Sequence, residues 1–354
     1  MTAYWILFIV WAAGAVQFAR RQAGTSDKLF FVAAAVATAI MIGLRFEVGG
    51  DWGAYVRIYE DIFFQPLGVA LRRTDSGYAF LNWLGAQGDL GIWFVNLGCS
   101  ILFMAGLGRL ASRQPNPWLA ILVAVPYLII VVSMGYTRQG AAIGIICWAI
   151  ADASPTRMIR LVILVAAAAL FHKSAILFLP ILLAPILTRN PLLAAVGAVV
   201  SALLASLFIG AASDQLVANY VSSNYDSQGA AIRIAMNVVA AASFLLFRER
   251  LGLDPFAKGF WTICAVLAVI SLVALQTFSA SAGVDRLALF LIPLQVITFS
   301  RLPYALSDRG RPLPSVLLAV VGYSFVVQFV WLNYADNASY WLPYRTTLLA
   351  EDKV

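Results

Sequence analysis

Six cations stand where an apolar chain has reason to avoid them. Arg45, Arg138, Lys173, Arg233, Arg286 and Arg345 each lie at the edge of an apolar run or in a short stretch beside one. Ionisable groups held at membrane depth are costly and are kept for function. The planar guanidinium grips phosphate with two parallel hydrogen bonds, which a point charge cannot do. A one-sided set of arginines therefore fits a phosphate-bearing substrate delivered by the membrane.

Other chemistry surrounds these cations in five short segments. In 45–61, Gly49, Gly50 and Gly53 permit a tight turn with close backbone approach. Asp51 and Tyr55 are four apart and share a face if a helix starts near Asp51, which is also a candidate cap. The bland alternative there is a capped helix with an Arg–Asp pair. In 133–144, Tyr136, Arg138 and Gln139 precede Gly140 and Gly144, whose small-xxx-small spacing reads as helix packing. In 171–180, His172 and Lys173 interrupt a long apolar stretch. Histidine titrates near neutral pH and can serve as acid, base or phosphate donor. Asp285 and Arg286 open an apolar run, and a local helix-capping ion pair is the plain reading of Asp285. In 340–349, aromatic residues fit an interfacial belt, with Arg345 among them.

Glu47, Asp51, Asp75, Asp214, Asp226 and Asp285 could in principle hold a divalent cation. The 45–89 segment has no DxD pair, so the chemistry is expected to use no metal and no other cofactor. The one histidine rules against an ordinary zinc site. Walker A, GxGxxG, GxSxG and HExxH patterns are absent, which leaves cytosolic nucleotide chemistry unsupported.

The composition says what must position these groups. Of 354 residues 62% are hydrophobic and 12% charged, and the mean hydropathy is +0.86. Soluble domains are about half apolar and a quarter charged. The expected fold is an all-α integral membrane protein, one transmembrane domain over 1–354. A spanning helix needs about 20 apolar residues, fewer inside a bundle. Apolar runs predict about twelve spans, at 2–19, 29–44, 90–108, 118–134, 140–152, 160–171, 174–188, 191–212, 230–247, 259–277, 287–301 and 314–331. The chain opens directly on an apolar run without a basic leader, so the first span is expected to be retained. Cys99, Cys147 and Cys264 each sit inside an apolar run and read as small buried residues.

Orientation follows from charge. Segments 20–28, 109–117, 152–160, 248–258 and 301–314 are short and basic, and alternate loops put all five on one side. That side is cytoplasmic by the positive-inside bias. The same bias accounts for the net charge of +7, so nucleic acid is not an expected partner. The outer side then holds both termini, a long loop at 45–89, a second at 213–229 and a tail at 333–354. Within the first loop, 52–64 is amphipathic enough for an interfacial helix, and 77–87 is apolar but too short to span, so it reads as re-entrant or interfacial.

The motifs themselves carry a resemblance. Arg45-x-x-x-Gly49-x-Asp51-x-x-x-Tyr55, Tyr136-x-Arg138-Gln139, Phe171-His172-Lys173-Ser174, Asp285-Arg286 and Pro343-Tyr344-Arg345 occur in this order over nearly the whole chain. The sequence resembles the EpsG-type polymerases of bacterial exopolysaccharide synthesis, relatives of the Wzy O-antigen polymerases. Gly50 departs from the family pattern, which commonly has Thr before the Asp. The resemblance implies a multi-pass protein of the bacterial inner membrane that joins repeat units carried on undecaprenyl pyrophosphate at the periplasmic face. A chain-length co-polymerase is a further implied partner beside the lipid bilayer. By the same analogy Arg45, Arg138 and Arg286, then Arg345, Arg233 and Lys173, would bind pyrophosphate, with Asp51 or His172 as the base. Tyr55, Trp52, Tyr136, Gln139, Asp285 and Tyr344, with Tyr220, Tyr225 and Trp341, would face sugar.

Two other classes stay open. One is another outer-face transferase, such as an O-antigen ligase. The other is a transporter of a lipid-linked or anionic solute, which should instead carry its charges near the bilayer midplane on related halves.

Overall fold

A computed structural model describes residues 1–19, 25–187, 199, 203, 229–277, 281–307 and 311–349. The span expected at 191–212 and the loop at 213–229 lie outside the described residues except for Val199, Leu203 and Gly229, and Tyr220 and Tyr225 lie outside them altogether.

The described residues form helices and turns. A lone antiparallel bridge between Arg45 and Thr346 is the only extended pairing among them. The helices run α1 Thr2–Gln17, α2 Thr25–Gly43, α3 Trp52–Phe63, α4 Leu67–Ala70, α5 Ser76–Gln87, α6 Gly91–Ala111, α7 Pro117–Ala124, α8 Thr137–Ala151, α9 Met158–Phe171 and α10 Phe178–Leu187. After the second loop come α11 Ala230–Phe247, α12 Pro255–Thr277, α13 Ser281–Ala288, α14 Pro293–Ala305 and α15 Pro314–Tyr334.

Six stretches are long and apolar enough to cross a membrane: α2, α6, α11, α12, the composite Gly283–Ala305 and α15. Shorter apolar helices accompany them at Thr2–Gln17, Pro117–Ser133, Met158–Phe171 and Lys173–Pro185. The protein is a multi-pass helical membrane protein, with fewer full-length spans among the described residues than the twelve expected. The outer faces are apolar as lipid requires. Leu29, Ile163, Leu246 and Leu318 point outward, while Trp11, Phe103, Leu119 and Phe244 fill the interior. The three cysteines are free and buried.

Local sequence explains the breaks that matter. Asn116 caps α7 by accepting from Leu119 N at 3.1 Å, and Pro117 follows at the first helical position. Pro126 lacks an amide hydrogen, and the helix continues from α7 as a π-helix over Val125–Ser133. It ends at the turn through Gly135 and Tyr136 that starts α8. Small residues set the closest crossing: a Cβ on Gly106 of α6 would stand 1.7 Å from the Gly144 carbonyl oxygen of α8. Gly144 thus packs helices as its spacing predicts. Gly140 instead faces Ser133 across the π-helix turn.

The basic segments meet at one end of the bundle. Asp152 receives Arg109 at 2.9 Å, Arg113 at 2.7 Å and Arg160 at 2.9 Å. Arg301 of α14 donates to Gln114 Oε1 at 2.7 Å and to the Leu251 carbonyl at 2.8 Å. Tyr304 donates to the Ala19 carbonyl at 2.9 Å. Four of the five segments that the charge pattern assigned to one side thereby lie at one end, with Ala19, just before the fifth, beside them. Since α6, α8 and α9 each run from that end to the other, the chemical residues gather at the opposite end.

Candidate functional site

Residues 44–49 leave α2 and are pinned by the tail. Phe46 N donates to the Arg345 carbonyl at 3.0 Å, Thr347 N to the Leu44 carbonyl at 2.9 Å, and Gly49 N to the Tyr340 carbonyl at 2.9 Å. Gly49 has φ +109, and a Cβ there would meet the Met134 carbonyl oxygen at 2.4 Å, so this position requires glycine. The turn delivers Asp51 to the start of α3. Its side chain makes no capping hydrogen bond, contrary to the capping role its position suggested. Burial pushes its pKa up, against the pull of the Arg286 and Arg138 charges.

Arg138 stands at the start of α8. Its Nη1 donates to Asp75 Oδ2 and to Thr74 Oγ1, both at 2.9 Å. Its guanidinium carbon lies 5.9 Å from the Tyr55 ring centre. Tyr55 is buried against Tyr78, with ring centres 5.5 Å apart. The other Asp75 oxygen accepts the backbone N–H of Lys173 at 3.3 Å. Asp75 therefore joins the start of α5, the start of α8 and the turn between α9 and α10. Burial raises its pKa against the pull of Arg138 and Lys173.

His172 occupies that turn, its ring stacked on Phe290 with centres 6.1 Å apart. Its Nδ1 is buried without a hydrogen-bond partner among the described residues. Burial, then the charges of Arg138 and Arg286, push its pKa down to about 3. The imidazole is neutral at pH 7 and can accept a hydrogen bond. Lys173 is exposed beside it.

Arg286 lies with its guanidinium 5.9 Å from the Tyr136 ring centre. Its backbone carbonyl accepts Gln139 Nε2 at 2.6 Å, which ties α13 to α8. Asp285 has a partner distant in sequence. It receives Arg233 of α11 through two bonds, Nε at 2.7 Å and Nη2 at 2.6 Å.

Several expected residues serve the walls of this site. Arg45 is 1% exposed. It donates to the carbonyls of Ile42 at 2.7 Å and Val48 at 3.2 Å, to Thr137 Oγ1 at 2.6 Å and to Asn96 Oδ1 at 3.2 Å. Trp52 lies 6.0 Å from its guanidinium. Tyr344 donates to the Met41 carbonyl at 2.7 Å and Trp341 Nε1 to the Ile130 carbonyl at 2.9 Å, so the protein holds the polar end of each. Arg345 pairs with Glu47 at the exposed edge.

The structure thus gathers Asp51, Tyr55, Tyr136, Arg138, Gln139, His172, Asp285 and Arg286 at one end and encloses Arg45 in the wall. Asp75 acquires a part that its sequence position, one residue before a helix, did not disclose. Asn96 and Thr137 were also illegible, because only the fold points them at Arg45. Beside Tyr136 and Arg233 a cavity of about 370 Å³ runs between α11 and α15, walled by Met236, Val327, Val330 and Trp331.

A family model described as the EpsG family matches residues 28–346 of the chain. No curated protein and no solved structure matches it.

Proposed function

The chain belongs to the EpsG family, a polysaccharide polymerase at family level, and on that premise we propose that it joins undecaprenyl-pyrophosphate-linked oligosaccharide repeat units at the periplasmic face of a bacterial inner membrane. One observation carries the reading: the Arg138 guanidinium lies 5.9 Å from the ring of Tyr55, one turn along α3 from Asp51, and the Arg286 guanidinium lies 5.9 Å from the ring of Tyr136, two residues before Arg138. A proton acceptor and two guanidinium groups in one place are what glycosyl transfer from a diphosphate needs.

In the proposed step the acceptor sugar hydroxyl gives its proton to Asp51, whose pKa burial has raised into better match for a base. The hydroxyl oxygen bonds to the anomeric carbon of the donor as the bond from that carbon to the phosphate oxygen breaks. Pyrophosphate leaves with the electron pair, and Arg138 and Arg286 stabilise its charge. Neutral His172, its ring stacked on Phe290 in the turn that Asp75 holds, positions the acceptor sugar. The carrier's first isoprene units lie in the apolar groove that starts at Tyr136 and Arg233. The cations sit at one end of the helices, which favours an enzyme at one face over a transporter with a midplane site.

Reconstitution tests this. The protein in nanodiscs receives one synthetic undecaprenyl-pyrophosphate-linked repeat unit and no nucleotide sugar. A ladder of products establishes the polymerase, a single transfer to an added acceptor identifies a ligase instead, and no product with the host's own repeat unit overturns the reading.

A further inference from the structure

The opposite end of the bundle holds a second arrangement of groove and charge that polymerisation does not use. A cavity of about 1110 Å³ lies between α2, α6 and α7. It exceeds the roughly 300–1,000 Å³ of ordinary small-molecule sites. Its floor is aromatic: Trp118 stacks on Phe18 with ring centres 5.3 Å apart, and Phe31 meets Trp118 edge-on at 5.7 Å. Its sides are apolar residues of α2 and α6. Lys28, Asp27 and Arg109 stand at its mouth.

Arg109 also belongs to the arginine cluster on Asp152. One carboxylate there serves Arg109, Arg113 and Arg160, whose side chains stay 43%, 50% and 42% exposed. Arg301, beside Arg113, makes its hydrogen bonds to uncharged oxygens of Gln114, Leu251, Gly252 and Arg113. The mouth of an apolar groove thus carries more positive charge than its own carboxylates offset.

We propose that this groove is a binding site for one anionic phospholipid, its acyl chains along α2 and α6 and its phosphate between Lys28 and Arg109. Basic pockets between membrane helices hold anionic headgroups in this way. The bound lipid ties α2, which the arginine cluster does not reach, to the α6–α8 pair. The site lies away from Arg138 and Arg286 and does not depend on how they are read.

The test is native mass spectrometry of the delipidated full-length protein titrated with dioleoyl phosphatidylglycerol or dioleoyl phosphatidylcholine. Phosphatidylglycerol should bind about twenty-five-fold more tightly, each of two cations contributing about fivefold. Lys28→Gln with Arg109→Gln should erase the preference, leaving Arg113 and Arg160 to hold Asp152. Ala105→Trp, on the exposed groove side of α6, touches no charge and should weaken both lipids. It also decides the matter if the double variant does not fold. Equal affinity for the two lipids in the wild type overturns the proposal. So does competition by glycerol 3-phosphate alone, which would mark a soluble-phosphate site, or unchanged lipid binding by Ala105→Trp.

Discussion

Asp75 holds Arg138 at 2.9 Å with one carboxylate oxygen and the Lys173 backbone N–H at 3.3 Å with the other. A single side chain thereby sets the distance between the guanidinium and the turn that carries His172. The proposed leaving-group contact depends on that distance, because a donor counts only where charge develops. Asp75→Ala should lower kcat by about a hundredfold, the scale of losing one such donor, with KM nearly unchanged. Arg138→Ala should abolish polymer, and Arg138→Lys should rescue poorly, because an ammonium lacks the planar fork. Arg113→Ala, at the far end, should polymerise as the wild type does. Polymer yield from membranes with matched protein levels checks all four. Equal yields remove the assignment of Arg138.

The two candidate bases separate by pH. His172 has its pKa pushed to about 3, so it stays neutral from pH 5 to 9 and adds no ionisation there. Asp51 has its pKa raised by burial. A base must be deprotonated, so activity should rise with pH through the raised Asp51 value and then level. His172→Gln should lower the rate yet leave that acid limb where it is. Asp51→Asn should remove the activity. A limb that disappears in His172→Gln reverses the assignment.

Arg45 and Arg286 look alike in sequence and differ in place. Arg45 is enclosed and makes four hydrogen bonds to Ile42, Val48, Asn96 and Thr137. Bonds from a charged donor are each worth about 1.5–3 kcal/mol. Arg45→Lys keeps the charge but cannot span four acceptors, and should cost about 3 kcal/mol. The melting temperature in detergent should fall, while what remains folded retains activity. Arg286→Ala should make no polymer at matched levels of folded protein. Reversed outcomes would put Arg45 on the substrate and Arg286 in the wall.

That pair also marks what the sequence can express. Charge against hydropathy reveals which residues are unusual, and it singled out Arg138, His172, Asp285 and Arg286, which the fold brings to one end of the bundle. The basic segments at 109–117, 152–160, 248–258 and 301–314 were equally legible, since their shared end follows from the alternation of apolar runs. What stayed hidden is the direction of each side chain. The Arg45 motif looks like a ligand site, but the chain between Leu44 and Gly49 folds back on the tail and turns its guanidinium inward. Asp75 has no motif of its own, and its partners lie 63 and 98 residues away. The π-helix at Val125–Ser133 likewise leaves no periodic trace beyond Pro126, although it sets where Tyr136 and Arg138 begin.

Asp152 offers a test of the other end. The hydrogen bonds and charges of Arg109, Arg113 and Arg160 hold its pKa at about 2, below the ordinary 3.8. A depressed carboxylate stabilises the fold above its unfolded pKa and loses that contribution as pH falls through the folded value. The three arginines are nearly half exposed, so solvent screens much of the shift and about 1 kcal/mol is expected. Asp152→Asn should therefore melt a few degrees lower at pH 7, and the two proteins should converge between pH 4 and pH 2. Raising salt to about 1 M should narrow the gap at pH 7, because exposed pairs are screened within a few ångströms there. A gap independent of both pH and salt would assign Asp152 a packing role instead of an electrostatic one.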